Sequence, residues 1–194
     1  MNATAEMNAT ADALRPIGII SRLTLVESAR RQGFLVLLLL ALALLVGATA
    51  LARFDQQVQR KALADLCLGA IFLMSSLITV TTIVPLLPGE MEHKTLYPVL
   101  AKPVGRWQLV AGKYLGGMAA VGAGMAAMTA AVALLEWHYV GRVDAALGYV
   151  VPFYFLEAAI LGAVALWLST FLSVPLAWFL SLLVCLLGNV KVSL

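Results

Sequence analysis

Residues 89–113 read GEMEHKTLYPVLAKPVGRWQLVAGK and form the longest polar interruption in a chain otherwise built of apolar segments. Seven acidic, basic or histidine side chains lie in this stretch: Glu90, Glu92, His93, Lys94, Lys102, Arg106 and Lys113. Lipid would leave these charges, and the backbone groups of an irregular loop, without hydrogen-bond partners. We therefore expect the stretch to lie in water or against another protein, where the chain can be contacted from outside the bilayer.

The composition places the rest of the chain in a membrane. Of the 194 residues, 62% are hydrophobic and 12% are charged, and the mean hydropathy is +0.97, whereas soluble domains have about 45–50% apolar and about 25% charged residues. The formal net charge of +3 is small, so we expect it to set the topology rather than to bind nucleic acid. Cys67 and Cys185 lie within apolar runs, where we expect them to pack as small hydrophobic side chains.

These properties predict an all-α, polytopic membrane helical bundle. We expect a disordered amino-terminal lead over residues 1–16, an amphipathic interfacial helix over 17–33 and a transmembrane domain over 34–190, with a polar loop over 89–108. The predicted spans cover residues 34–52, 66–87, 109–135, 147–168 and 174–190. Each is long and apolar enough to approach the roughly 20 residues that a crossing helix needs.

The segment before the first span mixes apolar and charged residues. Ile19, Leu23 and Val26 alternate with Arg22 and Arg30 at spacings that we expect to place the two classes on different faces of a helix. Such a helix lies in the headgroup plane with its arginines toward the phosphates. A cytosolic extension of the first span is the alternative.

Small residues recur at every fourth position of the third span: Gly112, Gly116, Ala120 and Gly124. This stripe lets another helix approach closely, either within the subunit or across a dimer. Three methionines of the same span are expected to fill gaps between helices rather than to bind copper(I): Met118, Met125 and Met128.

Polar side chains inside the other spans favour packing over an ion site. The hydroxyl groups between Ser75 and Thr82 are expected to bond to the preceding turn or to a neighbouring helix. Glu157 is a carboxylate well inside the fourth span, with no evident polar companion in the sequence. A buried carboxylate must pair or be protonated, so we expect a structural hydrogen bond, with a substrate or proton contact as the alternative.

The distribution of basic residues predicts the orientation. With the amino terminus in the cytosol, eight of the 13 Lys and Arg residues lie on the cytosolic side and five lie outside, in the direction of the positive-inside rule. The polar loop over 89–108 is then cytosolic and the carboxyl terminus is external. The odd number of spans predicts that a sixth span is missing from this chain.

The amino-acid sequence of the central stretch resembles that of the cytosolic loop of type 2 ABC transporter permeases. An acidic pair in GEMEHKTL is followed by VLAKPVGRW and by QLVAGKYLG at the start of the next span, and the layout of spans over residues 17–190 is also similar. Within that family, the sequence most resembles permeases linked to multicopper-enzyme maturation.

The resemblance implies a six-span permease that pairs with a second copy or a paralogue and contacts a cytosolic ABC ATPase subunit through a coupling helix. Carried onto this sequence, the coupling residues are Glu90, Glu92, Lys94, Thr95, Lys102 and Pro103, and the interface anchors are Arg106 and Trp107. It also implies a multi-pass protein of the cytoplasmic (inner) membrane that works as an exporter. ATP and Mg²⁺ would then be bound by the partner.

The chain itself has no ATPase motif. Residues 105–113, GRWQLVAGK, differ from a phosphate-binding loop in glycine spacing, and Tyr114 stands where Ser or Thr would hold magnesium. We expect no catalytic, cofactor-binding or metal-binding residue in this chain. A membrane-embedded hydrolase is disfavoured because His93 and His138 are predicted on opposite sides of the bilayer. An ion-driven secondary transporter and a non-transporting anchoring subunit remain as alternatives.

Overall fold

The computed structural model describes residues 3–51, 58–88, 105–140 and 145–190, which are helical almost throughout and contain no strand. The helices are α1 (Ala3–Arg30), α2 (Gln32–Leu51), α3 (Val58–Ile83), α4 (Arg106–Val140), α5 (Ala145–Phe171) and α6 (Val174–Val190). A 3₁₀ turn, Val84–Leu86, continues α3. The predicted all-α bundle is confirmed.

In the described parts of the chain, three helical segments are long and apolar enough to cross a membrane: Asp65–Leu86, Trp107–His138 and Leu147–Phe171. A fourth crossing is possible if α1 and α2 act as one bent span, since Ile17–Arg30 and Gln32–Gly47 meet at 61°. Helix α6 has 17 residues and is therefore about 26 Å long, somewhat less than the roughly 30 Å hydrocarbon core of a bilayer. The fifth predicted segment is thus a short apolar helix.

Helix α3 lies at the centre of the bundle. It packs against α2, α4, α5 and α6, and Ile71, Ile78 and Ile83 are fully buried along it. On α4, Met128 and Val132 are also fully buried. Close packing is a main source of attraction between helices in lipid. The contacts with α3 therefore help to fix the positions of the helices around it.

Helix α1 differs from its prediction in extent and in orientation. It begins at Ala3, so it includes the residues expected to form a disordered lead; their high alanine content favours helix. The apolar and charged residues of its second half are not separated, because Ile19, Arg22 and Leu23 lie within an arc of about 100° around the helix, and all three are exposed. Thr24 and Ser28 are the buried ones. The face that packs on the bundle therefore includes small polar side chains.

Helix α4 extends beyond the predicted third span at both ends. It starts at Arg106 and continues to Val140, so Glu136, expected in a polar link, lies within the helix and is buried. A 35-residue helix is about 52 Å long. It therefore exceeds the thickness of the hydrocarbon core by about 20 Å.

Candidate functional site

One end of the bundle holds both attachment points of the central polar stretch, and we call it the loop end. Here the 3₁₀ turn after α3 leads into residues 89–104, and α4 begins just after Gly105. The bend between α1 and α2 and the turn between α5 and α6 lie at the same end. The predicted coupling residues fall outside the described part of the chain: Glu90, Glu92, Lys94, Thr95, Lys102 and Pro103.

The start of α4 is fixed by a local cap. The backbone N–H of Gly105 donates to the side-chain Oε1 of Gln108 at 3.0 Å, and Leu109 N–H donates to the Gly105 carbonyl at 3.2 Å. A Gln at the third helical position that bonds back to the residue before the helix forms half of a capping box. The polar stretch therefore ends in a defined helical start.

The predicted interface anchors occupy the first two positions of α4. Trp107 is 73% exposed, and the backbone of Arg106 opens the helix. An exposed indole at a helix end has the amphipathic shape favoured at a membrane boundary, and its role as an anchor stays a prediction.

Lys113 joins the two attachment points. Its side chain is 4% exposed, and Nζ donates to the Leu86 carbonyl at 2.9 Å. That carbonyl belongs to the last residue of the 3₁₀ turn, where helix carbonyls have no partner of their own, and a cation near them is also favoured by the helix dipole. The end of α3 and the second turn of α4 are therefore linked directly. From the sequence alone Lys113 is only one more charge, because nothing local reveals its distant acceptor.

The small-residue stripe of α4 is occupied within the chain. A side chain at Gly112 would meet Ile20, and one at Gly116 would meet the Ser21 carbonyl and Thr24 of α1. Farther along, Gly124 faces the ring of Phe34 on α2. The fourth stripe position, Ala120, is fully buried.

A further glycine, which the four-residue spacing did not reveal, brings α3 and α4 together. A β-carbon at Gly117 would lie 2.6 Å from Ile83 Cδ1 and 3.1 Å from Leu86 Cδ1. Both atoms are the ends of flexible side chains, so glycine allows close packing of α3 and α4 at the loop end, and a larger residue would require Ile83 and Leu86 to shift.

Glu157 has a polar companion, contrary to what the sequence suggested. The Nδ2 of Asn189, near the end of α6, donates to Glu157 Oε1 at 3.2 Å. This bond joins α5 to α6, as expected for a structural hydrogen bond between helices in lipid.

The hydroxyls of α3 bond to the preceding turn, with one exception. Ser75, Thr79 and Thr81 each donate to a carbonyl three or four residues earlier, at 2.7–2.9 Å. Thr82 is 3% exposed, and its hydroxyl has no hydrogen-bond partner among the described residues. It lines a cavity of about 350 Å³ at the loop end.

Neither cysteine is part of a cluster of metal-binding groups. Cys67 is buried in the core, and the Cys185 thiol donates to Ser76 Oγ at 3.6 Å. Across the described ranges, no three His, Cys, Asp or Glu side chains lie close enough together to hold a metal ion. The features described at the loop end and between the helices are helix ends and interhelical hydrogen bonds, such as those of Lys113 and Glu157.

These features define a class: a polytopic helical membrane protein with a polar segment at one end of the bundle. A family model described as ABC-2 family transporter protein matches residues 26–194. The chain therefore belongs to the ABC-2 transporter family and is a permease subunit of an ABC transporter, which confirms the resemblance to type 2 ABC transporter permeases. The resemblance to permeases linked to multicopper-enzyme maturation stays a prediction. No curated protein matches the chain in a sequence comparison.

Proposed function

We propose that this permease subunit is driven by a separate cytosolic ATPase subunit, which contacts it through residues 89–104. The observation that carries the proposal is the bond between Lys113 and the Leu86 carbonyl. This bond joins the two helices to which the ends of the polar segment are attached, so a movement of the segment would act on α3 and α4 together.

The charges of the segment suit a protein contact. Glu90 and Glu92 precede Lys94 and Lys102, and clustered charges of both signs set the orientation of a partner surface. Pro98 and Pro103 interrupt any continuous helix in this part of the sequence. We propose that a short stiff segment between such interruptions transmits a movement of the ATPase subunit to the permease.

In the proposed assembly the chain pairs with a second copy or a paralogue in the cytoplasmic membrane, with its amino terminus in the cytosol. Binding of ATP and Mg²⁺ by the partner would bring the ATPase subunits together and shift the permease between two conformations. Export is the proposed direction. A wide exposed apolar surface on α5, including Tyr149, Phe153 and Trp167, is available to lipid or to the second permease.

The first test is a copurification. The full-length chain is extracted in mild detergent through an amino-terminal tag, and copurifying proteins are identified by mass spectrometry. We expect an ATPase with a phosphate-binding loop, and we expect to lose it when residues 90–102 are replaced by a neutral linker. If a folded preparation recovers no ATPase, coupling through this segment is wrong.

A charge reversal tests whether Glu90 and Glu92 form the contact with the ATPase subunit. Glu90→Lys with Glu92→Lys should lower the ATPase activity of the complex without lowering the amount of folded permease. The matched control is Arg142→Glu with Asp144→Lys, which alters charges on the link predicted to be external. Equal activity of the two double variants would remove the coupling assignment.

A further inference from the structure

A cavity of about 350 Å³ lies at the loop end between the α1–α2 bend, the end of α3 and the first turns of α6. Its volume falls within the roughly 300–1,000 Å³ of small-molecule sites. The bend contributes Arg31, Gln32 and Gly33 to its wall, and α3 contributes Thr82. None of these groups is needed for the proposed coupling through residues 89–104.

The Thr82 hydroxyl indicates that the cavity holds a polar ligand. Thr79 and Thr81, on the same helix, donate to the carbonyls of Ser75 and Leu77, whereas the buried Thr82 hydroxyl has no partner in the described residues. A buried polar group without a hydrogen bond is costly. A ligand that accepts a hydrogen bond from the Thr82 hydroxyl would remove that cost.

The electrostatics of the wall select an anion. Helix α2 begins at Gln32, so its first N–H groups, which lack intrahelical acceptors, lie at the cavity, where the helix dipole also favours negative charge. Arg31 adds a guanidinium on a side chain that is 39% exposed. This guanidinium lies 4.0 Å from the carboxylate of Glu27, which is 68% exposed, and an exposed pair of this kind contributes little.

An apolar groove continues from the cavity along α6. This groove, of about 430 Å³, is lined by Val174, Pro175, Trp178, Phe179 and Leu182 and shares Val174 and Trp178 with the cavity. From Val174 to Leu182 it extends about 12 Å away from the loop end. A ligand that fills both spaces has an anionic head at the membrane boundary and a hydrocarbon tail toward the middle of the bilayer.

We propose that the cavity binds the phosphate-bearing headgroup of an anionic phospholipid and that the α6 groove holds one of its acyl chains. The phosphate accepts hydrogen bonds from the Thr82 hydroxyl, the Arg31 guanidinium and the first amides of α2. Free phosphate shares the head chemistry but leaves the groove unfilled. The lipid of the leaflet at the loop end is therefore the occupant.

Quenching of tryptophan fluorescence tests the proposal on the full-length chain in an uncharged detergent. The probe is phosphatidylglycerol with brominated acyl chains, which quenches a nearby indole. We expect saturable quenching that is largely lost in Trp178→Phe. Brominated phosphatidylcholine should quench the wild type at a severalfold higher concentration, and inorganic phosphate should compete only weakly.

Three variants and a control separate the contributions. Thr82→Val keeps the side-chain volume and should weaken binding about two- to tenfold, the range for one hydrogen bond. Arg31→Gln should weaken it about tenfold or more. Glu27→Gln should strengthen it, because a competing anion is removed. Thr79→Val, whose hydroxyl already has an intrahelical acceptor, should bind as the wild type does.

Two outcomes overturn the proposal. Equal affinity for phosphatidylcholine, with no effect of Arg31→Gln or Glu27→Gln, would show that the groove takes any lipid. Complete displacement of phosphatidylglycerol by inorganic phosphate at equal concentration would show an anion site without a lipid. The exposed position of Glu27 makes that variant a test that does not depend on disturbing the fold. Neither result alters the ATPase copurification.

Discussion

Replacing Gly116 with alanine should loosen the packing of α1 on α4. The added β-carbon would meet the backbone carbonyl of Ser21 and lie 2.7 Å from Thr24 Cβ, and neither atom belongs to the flexible end of a side chain. Relief requires α1 to move as a unit. Overpacking of this kind costs about 1–3 kcal/mol, against a gain of about 1 kcal/mol from replacing glycine with alanine in a helix.

A matched control isolates the clash. Gly69 lies in α3, and a β-carbon added there would have no other atom within 4 Å. Gly69→Ala should therefore gain the stability that alanine gives a helix relative to glycine, with no clash to offset it. The two variants should differ by about 2 kcal/mol in the free energy of unfolding, or about 4–8 °C in melting temperature for a chain of this size. Circular dichroism melts in detergent measure the difference, and hydrogen exchange should show faster opening of α1 in Gly116→Ala. Melting temperatures that agree within error, with α1 equally protected, would refute the close contact.

The remaining predictions concern single hydrogen bonds. Lys113→Met should lower the free energy of unfolding by about 1–2 kcal/mol, because the carbonyl at the end of the 3₁₀ turn loses a charged donor; an unchanged melt would count against the bond. Tyr114→Phe removes the hydroxyl that donates to the Ala159 carbonyl at 2.6 Å and should cost about 1 kcal/mol in the same assay, whereas no loss would show that water replaces it. Glu157→Gln keeps an acceptor for Asn189 and should leave folding and ATP-dependent transport unchanged. Substrate movement in vesicles that follows a pH gradient without ATP, and that this variant abolishes, would instead support ion-driven transport.

Much of the architecture could be predicted from the sequence because the signals are local. Long apolar runs predict helices in lipid whatever their neighbours are. The four-residue recurrence of Gly112, Gly116, Ala120 and Gly124 marks one helix face by geometry alone. The stripe does not reveal its partner, however, and the choice between a dimer contact and an internal one needed the positions of α1 and α2.

The features that escaped prediction depend on residues far apart in the chain. The acceptor of Lys113 is 27 residues away, and the donor to Glu157 is 32 residues away. The packing of α1 was not predictable because the buried residues, Thr24 and Ser28, are polar, and nothing local shows that Thr24 lies against Gly116 of a distant helix. The cavity beside Thr82 is formed by residues of four helices, α1, α2, α3 and α6, and has no local signature in the sequence.

The length of α4 has a mechanical consequence. Its sequence contains no proline, and it packs against α1, α2, α3 and α5, so any tilt of α4 as a whole would move both of its ends relative to these helices. With each half of α4 about 26 Å long, a tilt of about 10° about its middle would displace the two ends by about 4.5 Å in opposite directions. A movement of the Arg106 end toward the bundle axis would then move the Val140 end away from it. A change at the loop end would in this way alter the packing at the opposite end of the bundle.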